Sequence, residues 1–481
     1  MEDNALYLAI DQGGHASRAI VFDSQGREVK QACVALQAYQ PKPMWVEYEP
    51  VELIAATRRA VSEVIAQLGD DAQKIRSAGL VTQRSNIACW DRQSGEALSA
   101  IISWQDLRNA AWVEQFADKR DFIHQRSGLF GNGHYGVSKL RWCAEHISAV
   151  VVAQRQKSLA WGPMASYLLS SLLREPLLVV DPANASRSLL FNIHSLQWDD
   201  QLASCFSVSL EGFPKVVPSA YSYGFLDCAD LDVPLEVMNG DQPSALFAQG
   251  WPDSKILYIN IGTGAFLQRV IEEPMVAAGR LLNSVVWQEQ DKACYVLEGT
   301  VNGAGCAVAE LAERLGFNPS NLSLADHWLA ETDEIPLFIN AVSGIGSPYW
   351  RSDVKSCFIG EGRPWQKMMA VLESILFLLC DNICEMEGYV PPAELIQMSG
   401  GLAQMDGLCQ RLADLSGKMV LRPAQCEASA QGLAFLLAQP KGEWGNGVID
   451  YFKPRQSVKL QARYRRWQAE LSDRLGADAC V

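Results

Sequence analysis

The sequence predicts an α/β protein of two domains that open alike and face each other across a catalytic cleft. Leu6-Tyr-Leu-Ala-Ile-Asp11 and Ile256-Leu-Tyr-Ile-Asn-Ile261 are both apolar runs of buried-strand length, each followed by a glycine-rich turn and a second apolar run. Between them, Gly250-Trp-Pro-Asp-Ser-Lys255 is a cluster of chain breakers and the best boundary, giving domains over residues 1–250 and 251–481. Just before it, Val237-Met-Asn-Gly-Asp-Gln-Pro-Ser-Ala-Leu-Phe247 reads as a strand end turning into a helix, with Pro243 suited to the opening turn. Open α/β sheets place their reactive groups at such turns, although Asp241 taken alone also fits a helix-capping aspartate.

Taken in order, residues 6–11 are a buried strand ending in a carboxylate, and Ser17–Asp23 is its antiparallel partner across Gln12-Gly-Gly. Asp23-Ser-Gln-Gly is a turn, so 28–36 returns as a third strand. Pro50 opens a helix with an apolar stripe from Leu53 to Leu68, closed by Gly69. Strands at 78–82 and 101–104 deliver Gln83-Arg-Ser-Asn and Gln105-Asp-Leu-Arg; residues 109–119, 138–155 and 159–173 have helical spacing. In the second half a helix over 303–315, a long helix over 363–388, a strand at 395–398 ending in Ser399-Gly-Gly, a helix over 405–417, a strand at 418–422 and a polar helix near 457–475 complete the pattern. Each half is expected to carry its own mixed five-stranded sheet, with no single sheet running from residue 6 to 271.

Composition narrows the function. A net charge of -14 argues against nucleic acid and anionic membrane as partners, so a site for a polyanion must be built locally. No apolar run reaches the length of a membrane span, and the acidic N-terminus is wrong for a signal peptide. Thirteen cysteines lie scattered without framework or CxxC spacing, which reads as reduced thiols in a cytoplasmic protein. Six dispersed histidines make a zinc site unexpected.

Glycine-rich turns between strands aim backbone N–H groups one way and let phosphate oxygens approach closely. Gly13-Gly14, Gly262-Thr-Gly264 and Gly400-Gly401 each follow an apolar strand, and Asp11 and Asp241 lie just upstream of the first two. Together they point to a nucleotide held between the domains. Walker A, protein-kinase and GxGxxG signatures are absent.

The segments Ile10-Asp-Gln-Gly, Ser17-Arg-Ala-Ile-Val-Phe-Asp23, Val81-Thr-Gln-Arg84, Ser103-Trp-Gln-Asp-Leu-Arg108, Asn184–Asp200, Gly240–Phe247, Ile261-Gly-Thr-Gly264, Ser347-Pro-Tyr-Trp350 and Ser399-Gly-Gly-Leu402 stand in an order that resembles the FGGY family of carbohydrate kinases. The match runs from about residue 6 to 440, and the stretch from Asn184 to Asp200 favours its glycerol kinase branch. The resemblance implies two actin/hexokinase-like (ribonuclease H-like) domains and an ATP-dependent kinase for a small polyol or sugar, using Mg2+. It implies that Asp241 is the general base and lies with Asp11 near the metal. Arg84, Ser85, Trp104, His134, Gln242 and Phe266 match the substrate site. Gly13, Gly14, His15, Arg18, Gly262, Thr263, Gly305, Gly401 and Met405 match the ATP site.

Several matched positions depart from the glycerol kinase pattern. Gly14 and His15 replace two threonines, Ser85 replaces a glutamate, His134 a tyrosine (with Tyr135 next door), Met405 an asparagine and Ala309 a glutamine. A site that loses a hydrogen-bonding carboxylate discriminates differently among hydroxyl ligands, so the expected acceptor is a small polyol or sugar rather than glycerol in particular. The alternative is a catalytically weak relative that binds nucleotide or sugar in a regulatory role. The oligomeric state is left open, a homodimer included.

Overall fold

The computed structural model describes residues 4–228, 231–275, 278–317, 335–424, 427–440, 442, 444 and 449–476. The opening meander forms as expected: Leu6–Gln12 pairs antiparallel with Ala16–Asp23, which pairs antiparallel with Glu28–Ala35. Ile75–Thr82 and Pro234–Gly240 add in parallel on the other side of Leu6–Gln12. In the second half, Ile256–Ile261 pairs antiparallel with Ala265–Ile271 and parallel with Leu395–Ser399, which in turn pairs parallel with Met419–Pro423. Both halves therefore start with a hairpin and extend by parallel strands, an arrangement that needs helical crossovers.

The expectation of two separate sheets is corrected. Among the described residues thirteen strands form one hydrogen-bonded order, from Ile449–Phe452 at one edge to Glu28–Ala35 at the other. The junction is narrow, because Ala220–Phe225 from the first half meets Leu282–Glu289 from the second through the single pair Ala220↔Glu289. Leu282–Glu289 belongs to a long hairpin with Lys292–Val301. That hairpin widens the second sheet until it touches the first.

Helices cover the sheet faces. Pro50–Leu68 starts at a proline and buries Leu53, Val61 and Val64 against the first meander. Residues 159–173, expected to be one helix, divide: Leu159–Pro163 is a strand paired with Ile87–Asp91, and only Met164–Leu172 is helical. Pro163 explains the break, since its ring cannot sit inside a helix but is tolerated just before the first turn. Residues 138–155 likewise split at Ile147 into Gly136–His146 and Ser148–Gln156.

One helix crosses between the halves. Ala428–Ala438 comes late in the chain, yet packs on Leu6–Gln12, Ile75–Thr82 and Pro234–Gly240 and on the short helix Asp241–Ala245. Leu433, Ala434, Phe435 and Leu436 close a core with Ala9, Ile20, Val81, Val237 and Phe247. The contact is tightest at Gly432, where a Cβ would lie 1.8 Å from the Ser244 carbonyl oxygen, and Ser244 Oγ donates to the Ser429 carbonyl at 2.8 Å.

Candidate active site

Asp11 ends the strand Leu6–Gln12 and Asp241 follows the strand Pro234–Gly240, so both carboxylates emerge at the C-terminal ends of strands in one sheet. Gly240 occupies the helix-cap position, and the Asp241 carboxylate accepts from the adjacent Gln242 amide at 2.8 Å. Burial, then the nearby Asp241 charge, push the Asp11 carboxyl up to about 7 against the opposing pull of Arg18. Burial also raises Asp241, opposed chiefly by Arg84 and, more weakly, by Arg187. Two adjoining carboxylates that resist joint ionisation form a site of surplus negative charge. That chemistry fits Mg2+, which takes one or two carboxylates and completes its shell with phosphate and water. Among the described residues no cluster of three or more protein ligands exists.

Arg84 stands over Gly240, and its Nη2 donates to Gln242 Oε1 at 2.6 Å. Arg84 is 8% exposed and its Nη1 is buried without a hydrogen-bond partner, a donor suited to a ligand oxygen. Ser85 follows with φ 65°, a left-handed turn that sends the chain away. Trp104 is held by its amide, which donates to Asn86 Oδ1 at 2.7 Å, and its ring lies 6.0 Å from that of His134. The His134 ring nitrogen Nδ1 meets the Trp104 carbonyl at 3.1 Å, and burial lowers its pKa. Tyr135, not His134, is the residue that faces Arg187 and Arg84. Phe266 comes from the other half, on the sheet face it shares with Gln268 and Glu298.

The candidate phosphate turns are assembled in two places. Tyr48 OH donates to the Gly14 carbonyl at 3.1 Å, and the Gly13 amide closes the turn onto Ala16. His15 is exposed, while Arg18 bridges Asp11 and Glu427, each at 3.7 Å. In the other half, the Gly262 carbonyl accepts from the Gly305 amide at 2.9 Å and the Thr263 carbonyl from the Cys306 amide at 3.0 Å. A Cβ on Gly305 would lie 2.5 Å from the Gly262 carbonyl oxygen, so the two turns meet only because residue 305 is glycine. Gly401 stands in open space next to Gly400, whereas Met405 is buried at the start of Asp406–Ser416 and Ala309 is exposed.

Comparison with known proteins decides the family. The model of the N-terminal domain of the FGGY family of carbohydrate kinases matches residues 6–247, and that of its C-terminal domain residues 257–439. The chain belongs to the FGGY family of carbohydrate kinases. It is 33% identical to a glycerol kinase of Alkalilimnicola ehrlichii, with 96% of each chain covered, and 31% identical to glycerol kinase 1 of Thermotoga maritima, covering 95% of this chain and 94% of that one. Its fold superposes on Plasmodium falciparum glycerol kinase with ADP at a TM-score of 0.88 (23% identity, 98% of both chains). Against the xylulose kinase of Lactobacillus acidophilus the TM-score is 0.84 (19% identity, 99% of both). This is the two-domain actin-like fold expected from the sequence.

Within this FGGY framework, the structure adds three residues that sequence reasoning did not single out. Glu427 reaches Arg18 from the helix that crosses between the halves. Arg187 and Glu298 form a buried ion pair behind Arg84. A signal for Glu298 was present in the β-rich run Cys294-Tyr-Val-Leu-Glu-Gly-Thr-Val301 after Gln290-Asp291, a hairpin pattern. Its partner cannot be found locally, because it lies 111 positions away.

Proposed function

We propose that this chain transfers the terminal phosphoryl group of ATP to a hydroxyl of a small polyol or sugar, with Asp241 as general base. The observation that carries the reading is the half-buried Asp241 carboxylate near the buried Arg84 guanidinium with its free donor, in a family of carbohydrate kinases. Phosphoryl transfer asks a protein for positioning, charge neutralisation and a proton acceptor, and these residues supply all three. Arg84, Gln242 and Trp104, with Tyr135 or His134 and with Phe266 from the opposite half, hold the acceptor. Asp241 takes the hydroxyl proton as the oxygen bonds to the γ-phosphorus. The bond to the β-bridging oxygen breaks, ADP leaves, and the proton passes from Asp241 to water. Asp11 and Asp241 are the residues to hold Mg2+, which supplies charge neutralisation on the phosphates. Gly13, Gly14, His15, Arg18, Gly262 and Thr263 are the candidate phosphate contacts, and Gly305, Gly401 and Met405 border the nucleoside position. Among the described residues no helix is long and apolar enough to cross a membrane, and the free cysteines favour a cytoplasmic location.

The test is ADP release with magnesium-ATP across glycerol, longer polyols, pentoses and ketoses. Turnover with at least one is expected, and none with any would overturn the reading. Magnesium-ATP should also raise the melting temperature, since ligand at about 100 times its Kd stabilises the native state by about 2.7 kcal/mol. Gly401→Ala provides a local check: with nothing within 4 Å of the added methyl, the melting temperature should not move, while the KM for ATP rises. An unchanged KM would remove Gly401 from the nucleotide site.

A further inference from the structure

We propose that the Arg187–Glu298 ion pair is the positioning device of the acceptor site, locking walls contributed by opposite halves of the chain into one pocket. Arg187 follows the helix Pro182–Ser186 in the N-terminal half; Glu298 lies on the strand Lys292–Val301 in the C-terminal half. Arg187 Nη2 donates to Glu298 Oε1 and Oε2 at 2.9 and 2.7 Å and to Ser284 Oγ at 2.9 Å. Glu298 also accepts from Gln268 Nε2 at 3.4 Å, and Glu298 is fully inaccessible.

The surroundings make this more than a core contact. On the N-terminal side, Arg187 faces Tyr135 and lies close enough to Arg84 for the two guanidinium charges to repel. On the C-terminal side, Glu298 shares its sheet face with Phe266. The pair thus joins the element beside Arg84 and Tyr135 to the sheet face that carries Phe266, across the division between the halves. A buried ion pair adds little net stability compared with apolar residues of similar volume, so its value here lies in fixing geometry. Arg187 touches no reacting atom and acts through Arg84 and Tyr135.

The role rests on the acceptor site proposed above. The test uses the full-length double variant Arg187→Met/Glu298→Met, which leaves no buried charge unpaired. The acceptor is whichever alcohol the wild type phosphorylates fastest in the panel of polyols, pentoses and ketoses. The double variant should fold and keep the wild-type melting shift with magnesium-ATP. Its KM for the acceptor should rise about 10- to 100-fold, the scale of one lost hydrogen bond to a charged group, while the KM for ATP stays within about twofold. Arg187→Lys, which keeps the charge but loses the fork, covers the case in which the double variant does not fold; it should raise the same KM selectively. An acceptor KM at the wild-type value in the double variant, or in Arg187→Lys if only that folds, would reduce the pair to a structural contact and leave the kinase reading standing. A wild type that phosphorylates no alcohol in the panel would overturn the kinase reading and this role with it.

Discussion

Replacing Asp241 with asparagine is expected to lower turnover by about 10²–10⁴-fold, the usual contribution of a positioned general base. The amide keeps the shape of the carboxylate but cannot take the hydroxyl proton. Stability should change little, because the asparagine oxygen can keep the bond from the Gln242 amide and the change removes a negative charge that destabilises ionised Asp11. Nucleotide affinity should change less than turnover, since Asp11 and the phosphate turns remain. If Asp241 only ligated the metal, affinity for magnesium-ATP and activity would decline in step. Turnover, magnesium-ATP affinity and melting temperature on one preparation separate these roles, and near-normal turnover would eliminate Asp241 as the base.

Gly432→Ala should be the most damaging small substitution away from the site. The new methyl would meet the Ser244 carbonyl at 1.8 Å, a backbone atom that cannot rotate aside. Moving the helix away would also open the contact between Leu433 and Gly79, where a Cβ on residue 79 would already sit 2.6 Å from Leu433 Cδ1. Overpacking of this kind costs about 1–3 kcal/mol, and here the upper end or more is expected. Because Ser244 lies three residues after Asp241, activity should drop even in the fraction that stays folded. A melting temperature within a degree or so of the wild type would show that the helix–helix contact is looser than described.

Much of this architecture was legible in the sequence because its signals are local. The two opening hairpins are written in apolar runs around glycine turns, and the helix Pro50–Leu68 carries its own start and stop. What was not legible depended on distant partners. Residues 159–163 have apolar spacing that suits either a strand or a helix, and pairing with Ile87–Asp91 settles it. The hairpin Leu282–Val301 was passed over, and with it went the join between the two sheets and Glu298. At the site, the sequence pattern pointed to Asp11, Asp241 and Arg84, whose type and position at strand ends are informative. It places His134 in the substrate site with Tyr135 next door, whereas which neighbour faces Arg187 depends on how the turn before Gly136 is held. Lys139 does that, its buried Nζ donating to the Gly133 and His134 carbonyls at 3.1 and 2.6 Å.

The crossing helix Ala428–Ala438 also has a consequence for biosynthesis. When residue 250 leaves the ribosome, the sheet that carries Asp11 and Asp241 has every strand of its opening meander, but one face lacks its cover. Ala9, Ile20, Val81 and Val237 wait for Leu433 and Phe435, which emerge about 185 residues later, or roughly 10–40 s at ordinary elongation rates of about 5–20 residues per second. Throughout that interval the nascent chain presents an apolar surface to the cell. A chain stopped at residue 250 should therefore be insoluble or chaperone-bound, and adding a separate peptide spanning 427–440 should improve its recovery.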